Sequence, residues 1–127
     1  MEREYLSIRE VLLIHAAALE HGGGSPGIRD RNALESAVFR PQSGYYADVF
    51  EEAAALMESL AMNHPFVDAN KRTAFLATDT SLRQNGYLID VGEREGEQFF
   101  LENIRGGTFR FLTICSWLRK VTRPLPK

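Results

Sequence analysis

The sequence predicts a compact all-α domain of about six helices. Three observations carry this. Apolar residues recur at three- and four-residue spacing, capping residues stand just before those runs, and strand-like composition is confined to one short piece. The length of 127 residues matches one domain, expected to span residues 1–127. With 44% hydrophobic and 25% charged residues, the composition is globular and argues against intrinsic disorder.

Taken in order, the elements justify themselves locally. Ser7 followed by Glu10 reads as a capping box that opens a helix. Ile8, Leu12 and Leu19 give that helix its apolar face, and Gly22-Gly23-Gly24 ends it. The segment 22–27 (GGGSPG) is a loop by composition. It is not a phosphate loop, because the Gly-Lys-Ser/Thr ending and a preceding strand are both missing. Asp30 caps a short helix that ends near Phe39, and residues 41–46 (PQSGYY) form a turn-rich loop. Asp48 and Glu51 cap a stronger helix whose apolar positions Val49, Phe50, Ala53, Leu56, Met57 and Leu60 share one face. Glu51, Glu52 and Glu58 are expected on its solvated side.

Pro65 breaks the pattern and disfavours helix at His64. A new helix is expected from near Asn70 to Asn85, with Gly86 as its left-handed terminator. Residues 87–91 (YLIDV) read as extended, half of a small hairpin. Two more helices are expected near Glu95–Ile104 and Thr108–Thr122, separated by Gly106-Gly107 and stopped by Pro124.

Charge and cysteine content exclude several function classes. Lys plus Arg is 15 and Asp plus Glu is 17, a formal net charge of −2. That balance lacks the basic excess of a dedicated nucleic-acid binder, so no direct nucleic-acid partner is expected. The single cysteine, Cys115, allows no intramolecular disulfide and no cysteine metal cluster, and its apolar surroundings make it a small buried hydrophobe. The longest apolar stretch, Val11 to Leu19, is interrupted by His15 and falls short of the roughly 20 residues that cross a bilayer. The start Met-Glu-Arg-Glu lacks a basic region followed by an apolar core, so a cytoplasmic protein without membrane partners is expected.

One stretch stands apart: residues 64–72, HPFVDANKR. It gathers an imidazole, a carboxylate, an amide, an ammonium and a guanidinium in a loop that opens a helix. Unpaired backbone N–H groups and the macrodipole favour anions there. Small Ala69 permits a ligand to approach the backbone. Lys71 and Arg72 oppose the helix dipole unless a phosphate chain binds beside them. Asp68 offers the hard oxygen that Mg²⁺ prefers next to phosphates, and His64 offers a base near neutral pH. These are the parts for phosphoryl or nucleotidyl transfer. On spacing alone a second reading stands beside it: Asp68 or Asn70 as a simple cap, and Lys71 and Arg72 as solvated or ion-paired side chains.

The stretch resembles the signature of the Fic family, His-x-Phe-x-Asp/Glu-Gly-Asn-Gly/Lys-Arg. Lys71 and the continuation Thr73-Ala74 are similar to its death-on-curing (Doc) branch. Ile14-His15, the glycine loop with Ile28-Arg29-Asp30, and residues 82–86 (LRQNG) also resemble Doc-type chains in order and spacing. The resemblance implies a Fic-type helical bundle with the motif between two central helices. It implies His64 as the general base and Asp68 as the Mg²⁺ ligand. Ala69, Asn70 and Lys71 would form the anion-holding nest, Arg72 would bind phosphate, and Phe66 would anchor the loop.

Departures from the wider pattern select the chemistry that the resemblance implies. Lys71 replaces a glycine, Phe75 stands where many Fic adenylyltransferases carry a second arginine, and Ala69 replaces the usual glycine, excluding conformations that only glycine adopts comfortably. Doc enzymes share these features. The implied activity is transfer of the γ-phosphate of ATP to a Ser or Thr hydroxyl of a translation factor, elongation factor Tu, with arrest of protein synthesis. The alternatives are adenylylation of a protein hydroxyl and a catalytically silent module that binds an antitoxin. The inhibitory pattern Ser/Thr-x-x-x-Glu-Gly/Asn of some Fic proteins is absent: Val91 precedes Glu95-Gly96, and Gln98 precedes Glu102-Asn103. Restraint is therefore expected from a Phd-type antitoxin, whose tail would enter a groove as an amphipathic helix. Tyr45 and Tyr46 are expected either as packing or as a lid.

Overall fold

The computed structural model describes residues 2–127. Helix α1 (Ile8–Gly22) opens on the expected capping box: Ser7 Oγ accepts the Glu10 N–H, and Glu10 Oε1 accepts the Ser7 N–H. Asp30 caps α2 (Arg31–Phe39) through the Ala33 N–H. A 3-10 turn at Arg40–Gln42 follows, inside the stretch expected as loop. Asp48 Oδ1 accepts the N–H groups of Phe50 and Glu51 and starts α3 (Val49–Met62). Helix α4 (Asn70–Gln84) ends before Gly86, which is left-handed at φ 91°. Then come β1 (Tyr87–Ile89), α5 (Glu93–Arg105), α6 (Phe111–Val121) and β2 (Thr122–Pro124). The described residues thus hold six α-helices and one small sheet, the all-α bundle that the periodicity predicted.

Three expectations need correction. The extended piece is not half of a hairpin. Its partner is the chain's last strand, antiparallel, with Tyr87 opposite Pro124 and Ile89 opposite Thr122. Thr122 therefore belongs to a strand and not to the last helix. That helix also starts later than Thr108. Thr108 and Phe109 donate to Asn103 O, and the first helical N–H, of Phe111, is taken by Glu58 Oε2 at 3.0 Å. A long-range carboxylate thus sets this helix start.

The third correction concerns the same carboxylates. Glu51, Glu52 and Glu58 do not form a solvated side. Glu52 accepts from Arg3 and Tyr5, Glu58 from Arg40 and Phe111, and Glu51 from the Ala47 N–H. Flanking segments close over the outer edge of α3 because those carboxylates supply acceptors to groups the packing would otherwise strand.

The core sits around α3, which packs against α2, α4 and α6. Ala53, Ala54, Ala55 and Ala61 on α3, with Ala74 and Ala77 on α4, are buried and let backbones approach. Phe99, Phe100, Phe109 and Trp117 join α5 to α6 by ring contacts. Cys115 is buried in this core, and burial pushes its thiol above the ordinary range, as for an inert hydrophobe. No helix of the described residues is long and apolar enough to cross a membrane.

Candidate active site

The segment 64–72 lies where α3 hands over to α4, the two central helices. Its backbone is pinned by the segment before α2. Val67 N–H donates to Gly27 O at 3.0 Å, and the N–H groups of Arg29 and Asp30 donate to Pro65 O at 2.8 and 3.1 Å. Ile28 and Phe66 form the bridge between them. The Arg29 guanidinium donates to His64 O at 2.5 Å and Asn63 O at 2.9 Å, covering the carbonyl end of α3 where positive charge is favoured. His64 sits in the left-handed region at φ 47°, its side chain exposed and without a hydrogen bond among the described residues.

Phe66 is 1% exposed and anchors the loop in the core. Burying such a ring contributes about 2 kcal/mol. Asn70 then closes the loop on itself. Its Oδ1 accepts the Phe66 N–H and its Nδ2 donates to Phe66 O, both at 3.0 Å. The side-chain amide is thus a clamp on the loop. What Asn70 can present to an anion is its backbone N–H. Ala69 precedes it at φ 63°, ψ 27°, so alanine itself occupies the left-handed conformation where glycine was the expected residue. The neighbouring contacts must hold that conformation, because a Cβ disfavours it by roughly 1–2 kcal/mol.

Asp68 is exposed, yet both carboxylate oxygens are aimed. Oδ2 accepts the Ser25 N–H at 3.1 Å and Oδ1 accepts the Ala69 N–H at 2.9 Å. The Ser25 and Ala69 amides, with Arg72 and His15 nearby, hold its carboxyl below the ordinary range. The carbonyl of the same residue accepts from His15 Nε2 at 2.9 Å. Gly24 allows the loop this close: a Cβ there would stand 2.9 Å from Asp68 Oδ2, and its φ is +123°.

Arg72 answers the dipole objection raised by its position. Its guanidinium leaves the positive end of α4 and crosses to the negative end of α1, donating to Ala18 O and Gly23 O, each at 2.7 Å. Gly22 makes room for it; a side chain there would collide with the guanidinium. Further N–H groups of the fork remain. Lys71 is exposed and has no ion-pair partner among the described residues. No side chain caps α4, and Ala69 O takes the first helical bond from Thr73. The N–H groups of Asn70, Lys71 and Arg72 are therefore left without intrahelical acceptors.

The arrangement is an anion-receptive helix end, flanked by one ionised carboxylate and one exposed imidazole. No group of three or more His, Cys, Asp or Glu able to hold a metal exists among the described residues. Asp68 alone fits a Mg²⁺ ion that arrives on phosphates, since such ions take one or two carboxylates and fill the rest with phosphate oxygens and water. Periodicity and motif spacing located 64–72. They did not reveal that 22–29 forms its wall. Gly22, Gly24, Ser25 and Arg29 supply that wall; the run of glycines before Ser25, and the resemblance of that loop with Ile28-Arg29-Asp30 to Doc-type chains, were the available signals. Of the tyrosine pair, Tyr46 is packing: its hydroxyl accepts from Arg40 and its ring lies 5.4 Å from Phe111, while Tyr45 is 84% exposed.

The sequence model of the Fic/DOC family matches residues 5–82, a span holding α1 to α3, the whole motif and α4 up to its last turn. The chain is 43% identical over 91 residues to the "Toxin Doc" of Mycolicibacterium smegmatis, covering 68% of each chain. It is 35% identical over 89 residues to the "Protein kinase doc" of Escherichia phage P1, covering 67% of this chain and 71% of that one.

Proposed function

The chain belongs to the Fic/DOC family, and from that premise we propose that it is a Doc-like toxin with protein Ser/Thr kinase activity. It uses Mg·ATP and modifies a translation factor; elongation factor Tu is the target that the resemblance implies. The relatives' names, a toxin and a protein kinase, support this reading. The observation that carries it is the uncapped α4 terminus beneath Lys71 and Arg72, beside the aimed Asp68 carboxylate.

In the proposed reaction the N–H groups of Asn70, Lys71 and Arg72 hold phosphate oxygens, with Lys71 as a point charge and the remaining fork of Arg72 as a second cation. Asp68 would hold a Mg²⁺ ion, which would supply charge neutralisation on the phosphate chain. His64 takes the proton of the target hydroxyl. The hydroxyl oxygen bonds to the γ-phosphorus, the β–γ bridging bond breaks, and ADP leaves. Positioning and charge neutralisation account for most of such a rate. Because the inhibitory pattern is missing from this sequence, restraint is assigned to an antitoxin of the Phd type.

The deciding experiment supplies purified protein, Mg²⁺ and a cell extract with ATP labelled at either the α- or the γ-phosphate. Label from the γ-position on a protein Ser or Thr is the expected result. Label from the α-position would make the chain an adenylyltransferase. No transfer of either label, together with no Mg·ATP binding, would leave an antitoxin-binding module.

A further inference from the structure

We propose that His15, outside the motif and on α1, is a positioning residue that aims the Asp68 carboxylate and the start of α4 through a single peptide group. The inference deepens the functional reading above and rests on it. Within α1 the residue looks like a polar interruption of an apolar run. In the fold it is 5% exposed, and its ring lies flat on Phe66, with centroids 3.7 Å apart and planes 6° from parallel. The stack leaves the imidazole little freedom to turn. Its Nε2 lies 2.9 Å from Asp68 O. A carbonyl only accepts, so Nε2 carries the hydrogen and donates.

The consequence follows from peptide planarity. In a trans peptide the C=O and the following N–H point in opposite directions. There is no cis peptide among the described residues. Drawing Asp68 O inward to His15 therefore turns the Ala69 N–H outward, where it donates to Asp68 Oδ1 at 2.9 Å. The same rotation sets Ala69 in the left-handed region and decides where the N–H groups of Asn70 and Lys71 emerge. Asn70 fixes the loop at Phe66 and Ser25 fixes Oδ2 from the other side. Apart from the Asp68 carboxylate itself, His15 is the side chain that holds the peptide between the carboxylate and the helix among the described residues. It is buried and its polar contact is to Asp68 O, so its effect passes through Asp68 and Ala69.

Two variants separate the donor from the ring. His15→Phe keeps an aromatic ring against Phe66 and removes the donor. His15→Gln keeps an N–H donor and removes the ring. Both are compared with wild type for folding, for kcat and KM with Mg·ATP, and for hydrogen exchange at the Ala69 and Ser25 amides. The expected result is a loss of roughly 10–100-fold in activity for folded His15→Phe, faster exchange at Ala69, and partial rescue of both by His15→Gln. Wild-type activity in His15→Phe overturns the proposal. So does a rank order in which His15→Gln is worse than His15→Phe in both activity and exchange, since the ring alone would then matter. If His15→Phe does not fold, loss of Ala69 protection in folded His15→Gln overturns it. If wild type transfers no phosphate, the functional reading fails, and exchange at Ala69 still decides whether His15 holds the peptide.

Discussion

Asn70 grips both backbone polar groups of Phe66, accepting its N–H and donating to its carbonyl in two buried bonds of 3.0 Å. One side-chain amide thereby replaces a strand neighbour for a loop residue whose ring is already in the core. Removing it strands a buried donor and a buried acceptor together. Asn70→Ala should cost about 2–4 kcal/mol, read by denaturant unfolding. Asn70→Asp should be no rescue, because it keeps the acceptor but turns a carboxylate oxygen toward Phe66 O. A cost below about 0.5 kcal/mol for Asn70→Ala would show that the clamp is incidental.

Ala69 occupies the left-handed region with a Cβ. Ala69→Gly relieves that strain while adding freedom to the unfolded chain, so the net expectation is a gain of up to about 1 kcal/mol. Ala69→Val adds a branched Cβ and should lose more than about 1 kcal/mol. Thermal melts of the pair test the sign; a destabilised Ala69→Gly would refute the strain argument.

Gly23 and Gly24 make an internal comparison. Both have positive φ, but a Cβ on Gly23 meets nothing within 4 Å, whereas one on Gly24 meets Asp68 Oδ2 at 2.9 Å and Leu19 Cδ2 at 3.0 Å. Each alanine variant should lose about 1–3 kcal/mol from backbone strain. Only Gly24→Ala should also displace the carboxylate, seen as a higher Mg²⁺ requirement in a transfer assay. Equal metal requirements in the two variants would contradict the role given to Gly24.

The His64 side chain is exposed and makes no hydrogen bond among the described residues, so His64→Ala should leave the melting temperature nearly unchanged. Its turnover should fall by roughly 10²–10⁴-fold, the usual weight of a general base. Full activity in the variant would remove His64 from the reaction.

Acid should destabilise the fold through Asp48. Burial alone would raise its carboxyl, but the Glu51 N–H, the Arg119 guanidinium and the Phe50 N–H together hold it below the ordinary value. The native state then binds fewer protons than the unfolded chain, whose Asp titrates near about 3.9. This contribution is fully present above that pH and is lost as pH falls through the lower native value. Urea unfolding from neutral to acid pH should show Asp48→Asn less stable than wild type at neutrality and less dependent on pH below about 4. Parallel pH curves would contradict the linkage.

Much of the fold was legible because its signals are local. Ser7 with Glu10, Asp30 before α2 and Asp48 before α3 bond to backbone two or three residues away, and each helix starts where its cap stands. The motif was legible for the same reason, since nine contiguous residues span one loop and one helix start. Glu58 was not legible. Its spacing on α3 marked it for solvent, yet it reaches the Phe111 N–H and sets the start of α6. Thr122, the first residue of β2, was read as the end of a helix because nothing local to residues 122–124 announces that Tyr87–Ile89 will lie beside it.

The sequence by itself determined the presence of six helices, the caps of the first three and the contiguous residues that carry the candidate chemistry, because propensity, capping and apolar spacing act over a few residues. Only the tertiary structure decided how those residues are used. It sends Arg72 to the carbonyl end of α1, brings Ser25 and Gly24 to Asp68, places Arg29 over the end of α3 and lays His15 under the Asp68–Ala69 peptide. Those contacts join segments far apart in the chain, and each exists because packing leaves a backbone carbonyl or amide that a distant donor or acceptor must satisfy.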